Sequence, residues 1–155
     1  NRLRKNIITA LRQEKSSGES KEGMDMALLV IDTERKKLQF AGAFNPLITV
    51  RNKKDTEYKA ERMPVAVYES MEPFKNTEIN YQSGDCAYMF SDGFPDQFGG
   101  PKIRKYMKKP FKRKLAEISD QPMEQQLQIL EETYDNWKGD ELQVDDVVVI
   151  GIRLQ

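Results

Sequence analysis

The feature that most constrains the fold is the apolar segment at residues 147–152, which reads Val-Val-Val-Ile-Gly-Ile. Successive side chains of a strand point to opposite faces, so this segment offers apolar side chains to both faces. We therefore predict a central strand that needs cover on both sides. A pair of packed antiparallel sheets with helices outside them would supply that cover.

Shorter apolar runs predict the other strands. Residues 26–31 are continuously apolar after Met26 and predict a strand buried on both faces, which forms a hairpin with residues 38–42. Residues 47–50 predict a third strand, and residues 78–81 and 86–90 predict a second hairpin. The charged, proline-containing stretch at 52–76 is typical of short edge strands joined by a long surface loop.

Helical spacing predicts helices at both ends of this strand region. Residues 1–14 form one, and a turn at 16–18 ends it. Residues 101–138 are predicted to be helical and split by Pro110 into two helices or one kinked helix, with the later helix running from Pro122 to Gly139. The order of helix, at least five strands, helices and a last strand indicates an α+β fold.

Composition excludes several classes of protein. The 155 residues include 25 basic and 25 acidic side chains, so zero net charge gives no reason to expect nucleic acid or direct membrane contact. No segment approaches the roughly 20 apolar residues of a membrane span, and we interpret the chain as cytoplasmic. The absence of histidine removes Ser-His-Asp and Cys-His catalysis. The single cysteine, Cys86, lies in an apolar run and is predicted to be a buried core residue.

Acidic residues lie at the ends of two predicted strands. Asp92 follows the strand at 86–90 and precedes Gly93, while Asp145 and Asp146 precede the last strand. Carboxylates held at strand ends bind hard divalent cations through oxygen, which makes a Mg²⁺ or Mn²⁺ site one interpretation. On spacing alone, an ordinary Asp-Gly turn and a polar strand start are the commoner explanation.

Five segments in a fixed order carry a family resemblance. They lie at 23–28 (Gly-Met-Asp-Met-Ala-Leu), 40–47 (Phe-Ala-Gly-Ala-Phe-Asn-Pro-Leu), 83–85 (Ser-Gly-Asp), 90–93 (Phe-Ser-Asp-Gly) and 143–147 (Gln-Val-Asp-Asp-Val). Each is short, but their order makes the signal specific. From about residue 20 to the C-terminus, the chain resembles the SpoIIE branch of the metal-dependent, type 2C-like (PPM) serine/threonine protein phosphatases.

The resemblance implies an α-β-β-α sandwich of two antiparallel sheets flanked by helices. It also implies two manganese or magnesium ions at one sandwich edge, bridged by a water that attacks phosphoserine or phosphothreonine. Asp92 resembles the metal ligand of the Asp-Gly motif, and Asp145 resembles the last metal ligand, with Gly93 and Asp146 supporting them. No catalytic residue beyond the metal ligands is implied. A metal pair of this kind needs no histidine, because it lowers the pKa of water and neutralises phosphate charge.

The family's earlier acidic motifs, including a further Asp-Gly, have no counterpart in this chain. We therefore expect residues 1–155 to be the C-terminal portion of one phosphatase domain whose first strands lie outside it, with little or no activity alone. The alternative is a non-catalytic pseudophosphatase or a protein-interaction module in signalling.

The resemblance also implies partners. The substrate would be a phosphorylated regulatory protein, such as an anti-sigma-factor antagonist, in a bacterium. Open sheet edges additionally predict self-association as a homodimer.

One further pattern is a run of cations that contains no acidic residue. It comprises Lys102, Arg104, Lys105, Lys108, Lys109, Lys112, Arg113 and Lys114. Such a run could dock an acidic partner or a phosphoprotein substrate. A solvated helix face is the commoner explanation.

Overall fold

The structure is a computed structural model that describes residues 1–13, 23–69 and 71–155. It divides into two compact units, the first comprising Asn1–Leu47 and Tyr58–Asn80, and the second Ile48–Glu57 and Tyr81–Gln155. The helix turn predicted at 16–18 lies outside the described residues. Among the residues that are described, no helix is long and apolar enough to cross a membrane.

The first unit contains one helix and a three-stranded sheet. The helix α1 spans Arg2–Ala10, and the strands β1 (Met26–Asp32), β2 (Lys37–Ala43) and β5 (Thr77–Asn80) lie in the order β1-β2-β5. The predicted hairpin of the first two strands is confirmed, because β1 and β2 pair antiparallel along their whole length.

The first strand is not buried on both faces, so that prediction is wrong. β1 is an edge strand, and Leu28 and Val30 are 50% and 51% exposed. A continuous apolar run shows that both faces of a strand are apolar. It does not show that both faces are covered.

The irregular segment between β4 and β5 is not the surface loop that its charges and prolines predict. Met63, Val65 and Ala66 are buried in it. The side chain of Arg4 is also buried and donates to the carbonyls of Met71 and Glu72, both at 3.0 Å. The sequence did not predict these buried positions, because charged residues surround them and the apolar residues follow neither a helical nor a strand period.

The second unit is built on a four-stranded sheet in the order β4-β3-β6-β9. Its strands are β3 (Leu47–Arg51), β4 (Lys54–Tyr58), β6 (Cys86–Phe90) and β9 (Val149–Arg153), with a small hairpin of β7 (Phe98–Gly99) and β8 (Arg104–Lys105). Its helices are α2 (Gly93–Asp96), α3 (Lys108–Ile118) and α4 (Met123–Lys138). The core of this unit comprises Ile48, Val50, Cys86, Tyr88, Phe90, Phe94, Phe111, Leu115, Ala116, Ile118 and Leu130.

The predicted strand at 47–50 and the predicted burial of Cys86 are confirmed. Cys86 is fully buried, and its thiol donates to the Ser119 carbonyl at 3.4 Å. Two helices are also confirmed, but Pro110 does not separate them: it lies in the first turn of α3, where a missing N–H costs least, and the helices are separated at residues 119–122. Residues 101–107 are not helical as predicted, because they form the β7–β8 hairpin and its exit.

Two strand-pairing predictions are wrong. β5 pairs with β2 and not with β6, which lies between β3 and β9. The turn at 81–85 fits a hairpin, but turn residues do not select the partner strand. β9 is an edge strand and not a central one, and Val148 and Ile150 beside it or within it are about half exposed.

Candidate metal centre

The two predicted metal ligands lie in segments that meet at one edge of the second unit's sheet. β6 and β9 run antiparallel, with Phe90 opposite Val149. Beyond β6, the Ser91 N–H donates to the Val148 carbonyl at 3.0 Å. Residues that follow β6 and residues that precede β9 therefore share an edge, which brings Asp92 and Asp145 to the same end of this strand pair.

The side chain of Ser91 joins the same two segments. Its hydroxyl donates to the Asp146 carbonyl at 2.8 Å and accepts the Val148 N–H at 3.0 Å. A hydroxyl can do both because it is one donor and a double acceptor. It thereby satisfies backbone groups where the strand ladder stops. The sequence predicted the motif that contains Ser91 but not these contacts.

Asp92 occupies the N-cap position of α2, and its carbonyl accepts the Asp96 N–H at 2.8 Å. An N-cap aspartate normally turns its carboxylate onto the first N–H groups of the helix. Asp92 makes no such side-chain hydrogen bond, and the residue is exposed. The carboxylate of Asp92 is therefore not used to cap α2.

Asp145 and Asp146 are both exposed. Oδ1 of Asp145 accepts the Asp146 N–H at 2.7 Å, which restrains the side chain while its second oxygen keeps its acceptor capacity. Within the described ranges, no salt bridge involves Asp92, Asp145 or Asp146. This edge therefore carries negative charge that no neighbouring cation balances in an ion pair.

Gly93 allows the two segments to approach closely. A Cβ atom at this position would overlap the carbonyl oxygen of Asp146 and touch the side chain of Val147. The glycine of the Asp-Gly motif is thus required by a backbone contact. Any larger residue would push the segment that carries Asp145 away from the segment that carries Asp92.

A buried glutamine, which the sequence analysis did not predict, ties the approach to Asp145 to the end of α2. Gln97 is fully buried. Its amide nitrogen donates to the Leu142 carbonyl at 2.9 Å, and its Oε1 accepts the Val144 N–H at 3.3 Å. Leu142 itself is 87% exposed, so these hydrogen bonds and not burial hold this stretch in place.

The helix α4 completes the hydrogen-bond network of Gln97. The Tyr134 hydroxyl donates to Oε1 of Gln97 at 2.8 Å, and the Trp137 indole N–H donates to its carbonyl at 3.0 Å. Burial, together with the nearby charge of Asp135, raises the pKa of Tyr134 above its ordinary value, so the hydroxyl stays a donor to higher pH than an exposed tyrosine does. A single glutamine gives no periodic signal, so its position soon after an Asp-Gly motif is the only hint in the sequence.

The donors at this edge fit part of a magnesium or manganese site. Mg²⁺ is commonly held by one or two carboxylates together with waters and substrate phosphate, and Asp92 and Asp145 are of that type. In the part of the chain that the structure describes, no group of three or more His, Cys, Asp or Glu residues could hold a metal ion. Asp92 and Asp145 alone would be fewer ligands than a closed metal site needs.

Comparison with known proteins shows the family to which the chain belongs. The family model described as Stage II sporulation protein E (SpoIIE) matches residues 2–155. The chain belongs to the SpoIIE family, which confirms the resemblance predicted from its motifs. It is thus a member of a family of protein phosphatase domains.

Solved structures show the same fold. The SiaA-PP2C domain of Pseudomonas aeruginosa is 27% identical, with a TM-score of 0.79 over 84% of this chain and 52% of that one. The phosphatase domain of SpoIIE from Bacillus subtilis is 19% identical, with a TM-score of 0.64 over 97% of this chain and 64% of that one. A manganese-presoaked form of the SpoIIE domain matches with a TM-score of 0.63 at 18% identity, covering 84% of this chain and 56% of that one.

These likenesses confirm the predicted α+β fold class. The chain spans about half of the SiaA domain and less than two thirds of the SpoIIE domain. No curated protein matches it significantly.

Proposed function

We propose that this chain carries part of the active site of a metal-dependent phosphatase that hydrolyses phosphoserine or phosphothreonine on a regulatory protein. In this proposal Asp92 and Asp145 hold manganese or magnesium. The supporting observation is the pair of Ser91 hydrogen bonds that join the segments bearing the two aspartates. Membership of the SpoIIE family supports the reaction class.

The roles of the chain's own residues follow from their contacts. Ser91 and Gly93 hold the two backbone segments together, and Gln97 holds the stretch that leads into Asp145. The Asp146 N–H restrains the Asp145 carboxylate. When bound, the metal would acidify a water molecule and neutralise phosphate charge, which suits a chain without histidine.

The substrate we propose is a small phosphorylated regulatory protein, such as an anti-sigma-factor antagonist. Because the described residues contain no group of three or more His, Cys, Asp or Glu that could hold a metal ion, we expect the isolated chain to bind Mn²⁺ weakly and to hydrolyse phosphate esters slowly. A full-length gene product that adds further acidic ligands would show the higher activity.

The test measures metal binding and hydrolysis in the same variants. Binding of Mn²⁺ is followed by the loss of its free-ion electron paramagnetic resonance signal, and hydrolysis by release of p-nitrophenol from p-nitrophenyl phosphate. We expect Asp92→Asn and Asp145→Asn each to weaken Mn²⁺ binding about tenfold or more and to abolish Mn²⁺-dependent hydrolysis. Glu34→Gln is the matched control, since Glu34 is exposed in the β1–β2 turn of the first unit. Unchanged binding and hydrolysis in the two aspartate variants would overturn the proposal.

A second candidate is the non-catalytic module, which the small number of carboxylates at this edge favours. That function predicts binding of a phosphoprotein without hydrolysis, both in this chain and in the full-length gene product. Mn²⁺-dependent hydrolysis by the full-length protein, lost on Asp92→Asn, would exclude it.

A further inference from the structure

The segment that follows the candidate metal centre combines cations with exposed apolar side chains. We name residues 98–109 the basic hairpin; β7 and β8 form its stem, pairing Phe98 with Lys105 and Gly99 with Arg104. We propose that the basic hairpin is a docking surface for an acidic segment of the phosphoprotein on which the proposed phosphatase acts. This inference rests on the proposed function and names how its substrate is recognised.

Among the described residues, most cations of the basic hairpin have no acidic partner in a salt bridge. Lys105 forms an ion pair with Asp96 at 2.7 Å. In the described part of the chain, no salt bridge engages its other exposed cations, which are Lys102, Arg104, Lys108 and Lys109. The rest of the basic run differs, because Lys112 pairs with Glu57 at 2.8 Å and Lys114 with Glu117 at 3.3 Å. The basic run thus divides within α3: from Lys102 to Lys109 most cations lie outside these salt bridges, whereas Lys112 and Lys114 further along the helix are paired with glutamates.

Large apolar side chains are exposed among these cations. Phe98 is 38% exposed, Ile103 60% and Met107 57%. A purely solvated basic face would not need them, since exposed apolar area is unfavourable in water. Protein-binding surfaces commonly combine apolar anchors with a charged rim.

The backbone of the basic hairpin is held in conformations that such residues rarely adopt. Ile103 has φ +43°, although it is β-branched, and Met107 has φ +79° with ψ +146°. Both conformations cost free energy that the surrounding structure must offset. Strained residues of this kind are found most often at functional surfaces.

The basic hairpin is fixed to α2, the helix that begins directly after Asp92. The Met107 N–H donates to the Pro95 carbonyl at 2.7 Å, and the Tyr106 N–H donates to the Gln97 carbonyl at 3.0 Å. Since α2 has only four residues, it extends about 6 Å along its axis. A protein docked on the hairpin would therefore lie beside the candidate metal centre.

An acidic protein segment fits this surface better than a membrane or a nucleic acid does. The net charge of the chain is zero, so no long-range field attracts an extended polyanion. A local cluster of cations around apolar anchors is complementary to a short segment that combines glutamate or aspartate with one apolar residue.

The test compares two charge reversals in the whole chain. Its probe is a fluorescein-labelled peptide that bears one phosphoserine, four glutamates and one leucine, and binding is measured by fluorescence anisotropy. We expect Lys102→Glu with Arg104→Glu to weaken binding roughly tenfold and added salt to reduce that difference. We expect Ile103→Ser to weaken binding by a smaller factor. Lys59→Glu with Lys75→Glu, two exposed lysines of the first unit, is the matched control and should leave binding unchanged.

Hydrolysis of p-nitrophenyl phosphate separates this inference from the proposed function, because that small ester does not reach the basic hairpin. If Asp92→Asn and Asp145→Asn leave Mn²⁺ binding and hydrolysis unchanged while the peptide binds and the Lys102/Arg104 reversal weakens that binding, the docking surface stands and the phosphatase proposal fails. Equal peptide affinity in the two double variants would overturn the inference. So would Lys102/Arg104-dependent binding to phosphatidylserine vesicles without binding to the peptide.

Discussion

An aspartate lies near each end of β6, Asp85 before it and Asp92 after it, and the contacts of their two carboxylates differ. At the start of the strand, the Asp85 side chain is 7% exposed and accepts hydrogen bonds from Arg51 Nε at 2.9 Å, Arg51 Nη2 at 2.6 Å and the Gln82 N–H at 2.8 Å. At the other end, Asp92 is exposed and makes no capping hydrogen bond. The carboxylate before β6 therefore accepts several hydrogen bonds, whereas the carboxylate after it accepts no capping hydrogen bond.

This difference separates a structural carboxylate from one available for chemistry. Asp85 organises the 82–85 turn and ties it to Arg51, the last residue of β3. Asp92 instead is exposed, as are Asp145 and Asp146 ahead of β9, and no salt bridge in the described ranges involves any of the three.

The largest effect on stability should come from Asp85→Ala. Removing a buried carboxylate that accepts several hydrogen bonds should lower the free energy of unfolding by about 3 kcal/mol. Urea denaturation measures this change. The matched control is Asp120→Ala, which removes an exposed ion pair with Lys53 at 2.8 Å and should matter much less. Equal losses in the two variants would contradict the contrast.

The next effect is the coupling between Arg51 and Asp85. A double-mutant cycle with Arg51→Gln and Asp85→Asn should give a coupling free energy of about 1.5 kcal/mol, because the contact is bidentate and one partner is buried. The same cycle on Lys53 and Asp120 should give a clearly smaller value. A coupling near zero would show that the Gln82 N–H alone orders the Asp85 side chain.

A smaller effect should appear on acidification. Burial would raise the pKa of Asp85, but hydrogen bonds from Arg51 and from the Gln82 N–H, with the charge of Arg51, hold it below its ordinary value of 3.8. A carboxylate with a lowered folded-state pKa stabilises the fold above its unfolded-state pKa, and this contribution is lost as pH falls through the folded-state pKa. The stability difference between wild type and Asp85→Asn should therefore be full at neutral pH and shrink below pH 3.8. Urea denaturation over this pH range checks it, and a constant difference would refute it.

The smallest effect on stability should come from Asp92→Asn. Because the Asp92 carboxylate neither caps α2 nor joins a salt bridge in the described residues, the change should be within about 0.5 kcal/mol. Urea denaturation of the metal-free protein measures it. A loss comparable to that of Asp85→Ala would assign Asp92 a structural role and end the contrast between the two ends of β6.

Local pattern was enough to predict the elements whose partners are near in sequence. The β1–β2 hairpin, the start of α4 after Pro122 and the burial of Cys86 each follow from a few adjacent residues. Pairing between distant strands does not follow from adjacent residues. The pattern at 78–90 is the same whether β6 pairs with β5 or with β3 and β9, and only long-range contacts decide.

The candidate site shows the same division. Asp92 and Asp145 were proposed from their places at strand ends and from family motifs, and their assignment as metal ligands stays a prediction. Gln97 was missed because burial of a lone polar residue depends on partners 37 and 47 positions away, in α4 and in the stretch before Asp145. The predictions that β1 is buried on both faces and that β9 is central were wrong for a related reason. An apolar run shows which side chains a strand could bury, but it does not show what covers them.

The single thiol of Cys86 can report how often the core of the second unit opens. It lies in the second unit's core with its hydrogen directed at the Ser119 carbonyl, so an alkylating reagent can reach it only when that core opens. The rate of alkylation under native conditions would therefore measure how often β6, the strand between Asp85 and Asp92, opens to solvent. Because the sequence contains no other cysteine, all alkylation reports on this one position, and no cysteine has to be introduced to follow the opening of β6.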